Sequence, residues 1–425
     1  MGCPRSLLGA AVLLAAAACS AGAGDGASLK PDASSIVDAG TVLEAASSMD
    51  AASALPAADA GDAGAPDDGG DDAGDAATYV WNLPPGFPVP VVPADNPMSA
   101  PKVNLGRHLF YDTRLSGNYT ESCASCHQQA KAFTDGLARA IGSTGVQHPR
   151  SAMSLANVAY ASTLTWADPL ELELEDQALI PMFGDDPVEL GLTSRDALVQ
   201  RLSQVPVYGP LFAAAWPGDP APLTFIHLVQ ALASFERTII SGRSPYDQYL
   251  FGDDSALSDS AKRGYNLFNS ETMECFHCHV DFDLTDHTNW AGKAFFDEPY
   301  HNTGLYNIDG KGAYPAPNTG VYRVTLMPPD MGKFKAPTLR NIAVTAPYMH
   351  DGSIATLDGV LDHYQAGGRT ITSGPYAGNG SLSPLKDPLI RPLQFTDQDR
   401  ADVIAFLQSL TDTTFLTDPT LSDPW

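Results

Sequence analysis

Two five-residue segments carry the most specific chemistry in the chain: Cys123-Ala-Ser-Cys126-His127 and Cys275-Phe-His-Cys278-His279. Two thiols one short turn apart can add to the two vinyl groups of one haem as thioethers. The histidine that follows is then placed to bind the iron from one face. Zinc binding or dithiol redox chemistry could use the same cysteines. Haem is the expectation here, because a histidine follows each pair and because the chain opens on an export signal. The other two of the six cysteines, Cys3 and Cys19, lie in that leader. Two covalently bound c-type haems are therefore expected, with His127 and His279 as iron ligands.

A third stretch, YMHDGSIATLDGVLDHYQAGG (Tyr348 to Gly368), holds two histidines and two tyrosines within reach of one metal. Thr356 reads as an N-cap and Gly367-Gly368 as a stop. Between them Leu357, Val360, Leu361 and Tyr364 recur at i, i+3, i+4 and i+7, so Tyr364 is expected to face inward. At about 100° per residue, His363 lies roughly 120° from Leu357, beside Asp358, Gly359 and Asp362, and is expected to be solvated. His350, in a His-Asp-Gly turn, stays as a rival ligand. No methionine follows Met349, so this helix cannot supply one. A phenolate favours the higher oxidation states of iron and lowers its potential, whereas a thioether raises it.

Helices must position these groups. KVNLGRHLFYDTRLSGNYTESCASCH and AKRGYNLFNSETMECFHCH run in parallel: Gly106 matches Gly264, Leu109-Phe110 matches Leu267-Phe268, and the first copy is longer before its cysteines. The repeat predicts an all-α fold of two cytochrome c-like domains, residues 79–250 and 251–425, each holding one haem, with long Gly- and Pro-rich loops and few short strands. FTDQDRADVIAFLQSLT (Phe395 to Thr411), with Thr396 as N-cap and Val403, Ile404, Phe406, Leu407 and Leu410 in its body, predicts the closing helix of the second domain.

Residues 1–19 have one basic residue, Arg5, and an apolar run from Leu7 to Ala18 that is too short for a permanent membrane anchor. Small residues before Cys19 point to lipoprotein processing with a lipid on that cysteine; plain cleavage also fits. Residues 20–78 are Ala, Gly, Ser and Asp with almost nothing to bury, the composition of a disordered tether. Whether this tether holds the folded part off a membrane or has no further role stays open. Of the formal −26, −11 lies in residues 25–75, which leaves −15 for the rest. An acidic body argues against nucleic acid and against anionic lipid surfaces as partners. The expected location is the periplasm, with membrane contact only through a lipid on Cys19.

Tandem haem motifs on an exported chain, followed by FKAPTLRNIAVTAPYMHDGS (Phe334 to Ser353), resemble the bacterial di-haem cytochrome c peroxidase and MauG superfamily from about Leu83 to Asp412. WNLPPGFPVPVVPADNP, SLANVAYASTLTWADP, LEDQALIPMFGDDPVELG and ALASFERTIISGRSPYD are most similar to the MbnH group, MauG-like enzymes paired with a small copper-binding protein. The resemblance implies a first haem that reacts with hydrogen peroxide and a second that stores or relays an electron. It places Trp166 between the haems, and Gln177, Pro181 and Glu189 on the distal side of the peroxide haem. A carboxylate there can take a proton from one peroxide oxygen and return it to the other. The remaining acids of LELELEDQ and DDPVE are expected to be solvated.

Two departures from the family pattern bear on function. AIGSTGVQHPR lacks the displaceable histidine of peroxidases that need reductive activation, so the first haem is expected to be open; His148 is the one nearby imidazole that could block it, a surface role being commoner. The family's interhaem calcium uses an asparagine where this chain has Ser151, while its carbonyl contributors match Thr345 and Pro347. The resemblance also places the second haem's sixth ligand fourteen residues after the histidine of the YxHDG motif, at Tyr364, a tyrosine in the MauG type and a methionine in the peroxidases.

The expected function is oxidation of a tryptophan in a small MbnP-like, copper-binding partner protein to kynurenine, driven by hydrogen peroxide. Peroxide reduction with electrons from a small cytochrome or cupredoxin is the alternative, and a non-catalytic electron carrier with two six-coordinate haems is a third.

Overall fold

The computed structural model describes residues 79–295 and 299–425; the expected leader with Cys19 and the acidic linker lie outside the described residues. Helices dominate, as expected of an all-α chain. In order they are α1 (Ala100–Phe110), α2 (Cys123–Cys126), α3 (Leu174–Gln177), α4 (Leu179–Phe183), α5 (Arg195–Ser203), α6 (Tyr208–Ala215), α7 (Phe225–Glu236), α8 (Pro245–Leu250), α9 (Asp259–Phe268), α10 (Tyr322–Thr325), α11 (Leu357–Gln365) and α12 (Asp397–Ser409). The paired strands among the described residues are two short antiparallel ribbons, Tyr300–His301 with Phe334–Lys335 and Thr370–Ile371 with Gly378–Asn379. No helix among the described residues is long and apolar enough to cross a membrane.

The long helices start where their sequences supply caps. Ser99 accepts from the Lys102 amide at the head of α1, Thr224 from His227 at α7, and Ser258 from Ala261 at α9. Thr396 and Asp399 form a reciprocal capping box on α12. Helix α1 packs on α7, and α9 packs on α12. Glycine makes both crossings close. A Cβ on Gly106 would lie 1.9 Å from the carbonyl oxygen of Ala231 and 2.8 Å from Phe235 Cβ; on Gly264 it would lie 1.9 Å from the carbonyl oxygen of Asp402 and 2.9 Å from Phe406 Cβ. The repeat in the sequence is thus a repeat in space, two helix crossings each notched by a glycine and backed by a phenylalanine.

Each crossing anchors a hydrophobic cluster. Leu105, Phe110, Phe133, Phe212, Leu232 and Phe235 lie in the first, and Phe268, Leu361, Val403, Phe406 and Leu410 in the second. A third joins Tyr306, Tyr314, Phe334 and Tyr348. The first cluster also contains Phe415 and Leu421, from far along the chain. There the Tyr111 hydroxyl donates to the Leu421 carbonyl at 2.7 Å, and the Gln129 amide donates to the carbonyls of Phe415 and Asp418.

Buried polar groups join the first and second clusters. Arg340, 1% exposed, donates to both carboxylate oxygens of Asp247 at 2.9 Å and to the Phe282 carbonyl. Asp412 accepts from the amides of Gly242 and Arg243, and the Asn341 amide donates to Ser241 Oγ. Charges this deep persist only when paired.

Candidate active site

The first cysteine pair lies on the single turn α2, and Cys123, Cys126 and His127 line a cavity of about 470 Å³. His127 Nδ1 donates to the Phe133 carbonyl at 2.9 Å, which leaves Nε2 as the free lone pair. The second pair lies on a 3₁₀ turn, and Cys275, Cys278 and His279 line a cavity of about 200 Å³. His279 Nδ1 donates to the Leu284 carbonyl, also at 2.9 Å. Both accepting residues hold left-handed backbone, Phe133 at φ 59° and Leu284 at φ 53°, a conformation costly for such side chains. The same orienting device therefore recurs at both sites.

All four cysteines are free. Burial pushes the thiols of Cys126 and Cys275 up to about 12, away from the thiolate that zinc binding or disulfide exchange requires. Paired thiols, an oriented histidine and a cavity beside them suit a covalent haem at each site.

Trp166 lines both cavities, and its indole Nε1 donates to the Ser151 carbonyl at 3.1 Å. It also borders a third cavity of about 110 Å³ with Ser151, Thr345 and Pro347, the positions at which the resemblance places calcium. The Ser151 hydroxyl lies 3.3 and 3.4 Å from the carbonyls of Met349 and His350, so it already has acceptors.

Gln177, Pro181 and Glu189 line the first cavity together. Burial pushes the Glu189 carboxyl up to about 7. His148 lines the same cavity with its Nε2 3.6 Å from Glu189 Oε1, which corrects the expectation of a surface role. The neighbouring acids also need a correction. Asp185 and Asp186 are exposed, but Glu175 forms a two-pronged ion pair with Arg237 at 2.7 and 2.8 Å and accepts from Asn96. Burial opposes ionisation of Glu175; the Arg237 guanidinium outweighs it and holds the carboxyl below the usual range.

Glu236, a cavity-lining residue on α7, escaped the sequence reading. It is buried, and burial pushes its carboxyl up to about 8. Its signal was helical phase: Leu228, Leu232, Phe235 and Glu236 share the buried stripe of α7, so this acid sits where an apolar residue belongs.

In the second cavity Tyr364, on α11, stands on the wall with His279, as phase predicted; burial pushes its phenol up. Its neighbour contradicts the expectation. His363 is 4% exposed, because the chain near Thr303 lies against the face of α11 that phase assigned to solvent; burial lowers it to about 4, the charges of Arg369 and Lys386 acting in the same direction. His350 lines this cavity too, stacked on Phe334 with ring centroids 3.7 Å apart, and burial lowers it to about 3. Met273 and Met349 are further lining residues, and neither lies on α11. His301 is the other residue missed. Its two nitrogens lie 2.7 Å from Asp286 and Asp387, which overcome its burial and raise it to about 12. Those partners are too distant in sequence for any local pattern to join them.

The model of the di-haem cytochrome c peroxidase family matches residues 100–255. The methylamine utilization protein MauG of Methylorubrum extorquens is 35% identical over 320 residues, 75% of this chain and 80% of that protein. The chain belongs to the di-haem cytochrome c peroxidase/MauG family. Its members are oxidoreductases, and the family implies two c-type haems. Another relative is the cytochrome-c peroxidase IdrP1 of Denitromonas iodatirespirans, 34% identical over 83% of this chain and 92% of that protein. Among solved structures, a MauG-like protein associated with microbial copper homeostasis is 50% identical, with a TM-score of 0.80, over 82% of this chain and 99% of that one. The di-haem peroxidase BthA of Burkholderia thailandensis, 22% identical with a TM-score of 0.60, shares the di-haem peroxidase/MauG fold.

Proposed function

We propose that this protein is a periplasmic MauG-type enzyme that uses hydrogen peroxide to oxidise a tryptophan of a small copper-binding partner protein to kynurenine. One haem would be held by Cys123, Cys126 and His127, the other by Cys275, Cys278, His279 and Tyr364. Bound there, the irons would supply the redox chemistry that takes two oxidising equivalents from peroxide. The chain's own residues manage protons, position and electron passage. Glu189 takes the proton from one peroxide oxygen and returns it to the other, Gln177 and Pro181 shape the distal wall, and the Trp166 indole passes electrons between the cavities. The carbonyls of Thr345 and Pro347 would hold any calcium beside it. A leader ending at Cys19 and the acidic tether would deliver and anchor the enzyme.

The observation that carries this reading is Tyr364 on the wall of the second cavity with His279, on a helix that has no methionine. The 50% identical MauG-like structure associated with copper homeostasis supports the choice of partner. EPR and near-infrared spectra before and after stoichiometric peroxide test the reading. One high-spin and one low-spin ferric signal are expected, with a peroxide-induced charge-resonance band between the haems. Two low-spin signals would instead indicate an electron carrier.

The IdrP1 relative favours a second reading, peroxide reduction with electrons from a small cytochrome or cupredoxin. Rapid steady-state turnover with reduced cytochrome c would establish it in place of the first.

A further inference from the structure

We propose that His148 is a positioning residue for Glu189: a small rotation brings its Nε2–H into donating distance of the Glu189 carboxylate, where it stabilises the ionised form that accepts the peroxide proton. This rests on the reading of the first cavity as the peroxide site, and it gives His148 a role in place of iron ligation.

Two small hairpins bring the residues together. One is closed by the bridge between Ile141 and Gln147, the other by that between Asp185 and Val188. They dock backbone to backbone: the Ser143 amide donates to the Glu189 carbonyl at 2.7 Å, and a Cβ on Gly142 would lie 2.0 Å from the Val188 carbonyl oxygen and 3.1 Å from Glu189 Cα. The surrounding chain fixes both hairpins. The Asn118 amide donates to the Ser143 carbonyl at 2.6 Å, the Gly117 amide to the Leu190 carbonyl at 2.7 Å, and the His148 amide to the Ala140 carbonyl at 2.7 Å. With both backbones held, the two side chains converge on one cavity wall.

Their chemistry is complementary. His148 Nε2 is shielded from solvent and has no hydrogen-bond partner; the Glu189 oxygen 3.6 Å away is one small side-chain rotation from hydrogen-bond distance. Burial lowers the His148 imidazole, Arg150 lowers it further and Asp135 opposes them, which favours the neutral ring with its one N–H. Burial is what raises Glu189; Arg150, Arg323 and the buried acid Glu236 line the same cavity, and the nearby Asp185 and Asp186 are exposed anions. A neutral donor turned into hydrogen-bond distance favours the carboxylate over the acid, which lowers the pH at which the base becomes available.

The full-length haem-loaded protein tests the assignment through His148→Leu, His148→Gln and Glu189→Gln. Three quantities are read: the ferric EPR spectrum, the pH dependence of cyanide binding, which also requires loss of a proton from the ligand, and the pH profile of the second-order reaction with peroxide. In His148→Leu the high-spin signal should persist. The acid limbs of both profiles should move about one unit alkaline, with a rate about fivefold lower near pH 7 and about tenfold lower well below it, recovering at high pH. His148→Gln, whose amide can donate from a similar place, should recover most of that shift. Acid limbs left in place in His148→Leu, or a changed spin state there, would overturn the proposal, the latter by showing His148 to be an iron ligand. Loss of peroxide reactivity in Glu189→Gln with an unshifted His148→Leu would overturn only the His148 role. Undiminished reactivity in Glu189→Gln would overturn the reading of the cavity itself.

Discussion

Tyr364 and His363 are adjacent on α11 and both leave bulk solvent, one toward the second cavity and the other toward the chain near Thr303. Tyr364→Phe should abolish the low-spin ferric signal of the second haem while the first keeps its spectrum; EPR decides, and an unchanged low-spin signal would remove Tyr364 as ligand. At Glu189, the rate of reaction with peroxide should rise with pH through about 7, since the acid accepts no proton and the carboxylate does. Glu189→Gln should slow it about 10²- to 10⁴-fold, as stopped-flow absorbance would show. The cysteines, proximal histidines and Tyr364 were legible because their chemistry is written in local spacing. His363 was misread because phase locates the face packed by the helix's own apolar residues, but not a second face covered by a distant loop. His148 and Glu175 were misread for the same reason, their partners being 41 and 62 residues away.

At the level of elements, the two glycine-notched crossings make equivalent demands. Gly106→Ala and Gly264→Ala each force a methyl group into a backbone carbonyl, and should destabilise the protein by about 1–3 kcal/mol apiece through overpacking. Denaturant unfolding would measure this; stability unchanged or raised, as Gly→Ala gives at an exposed helical site, would show that the helices can move apart freely. The matching glycines of α1 and α9, and the caps and apolar stripes of α11 and α12, were readable in advance. The carbonyls of Ala231 and Asp402 that the glycines accommodate were not, because crossing points depend on tertiary packing.

Across the whole molecule, Trp166 lines both cavities and the Arg340 junction joins the helix clusters behind them. Trp166→Phe should leave the first haem's initial reaction with peroxide in place and abolish the near-infrared band that reports sharing between the haems. An undiminished band would mean that the indole is not on the route. Arg340→Ala should strand Asp247 in the interior and cost about 3–5 kcal/mol, measured by thermal or denaturant unfolding. The polar junction was invisible in the sequence, since Asp247, Arg340 and Asp412 each look like ordinary surface charges until the chain folds. The tandem arrangement of haem motifs, by contrast, was legible because duplication leaves its mark along the chain.

The segment that carries Phe415 and Leu421 has a consequence for biogenesis. Leu105 and Phe110 are synthesised some three hundred residues before the side chains that complete their cluster, so this cluster, unlike one built from neighbouring helices, closes only once residues 415–421 have been made.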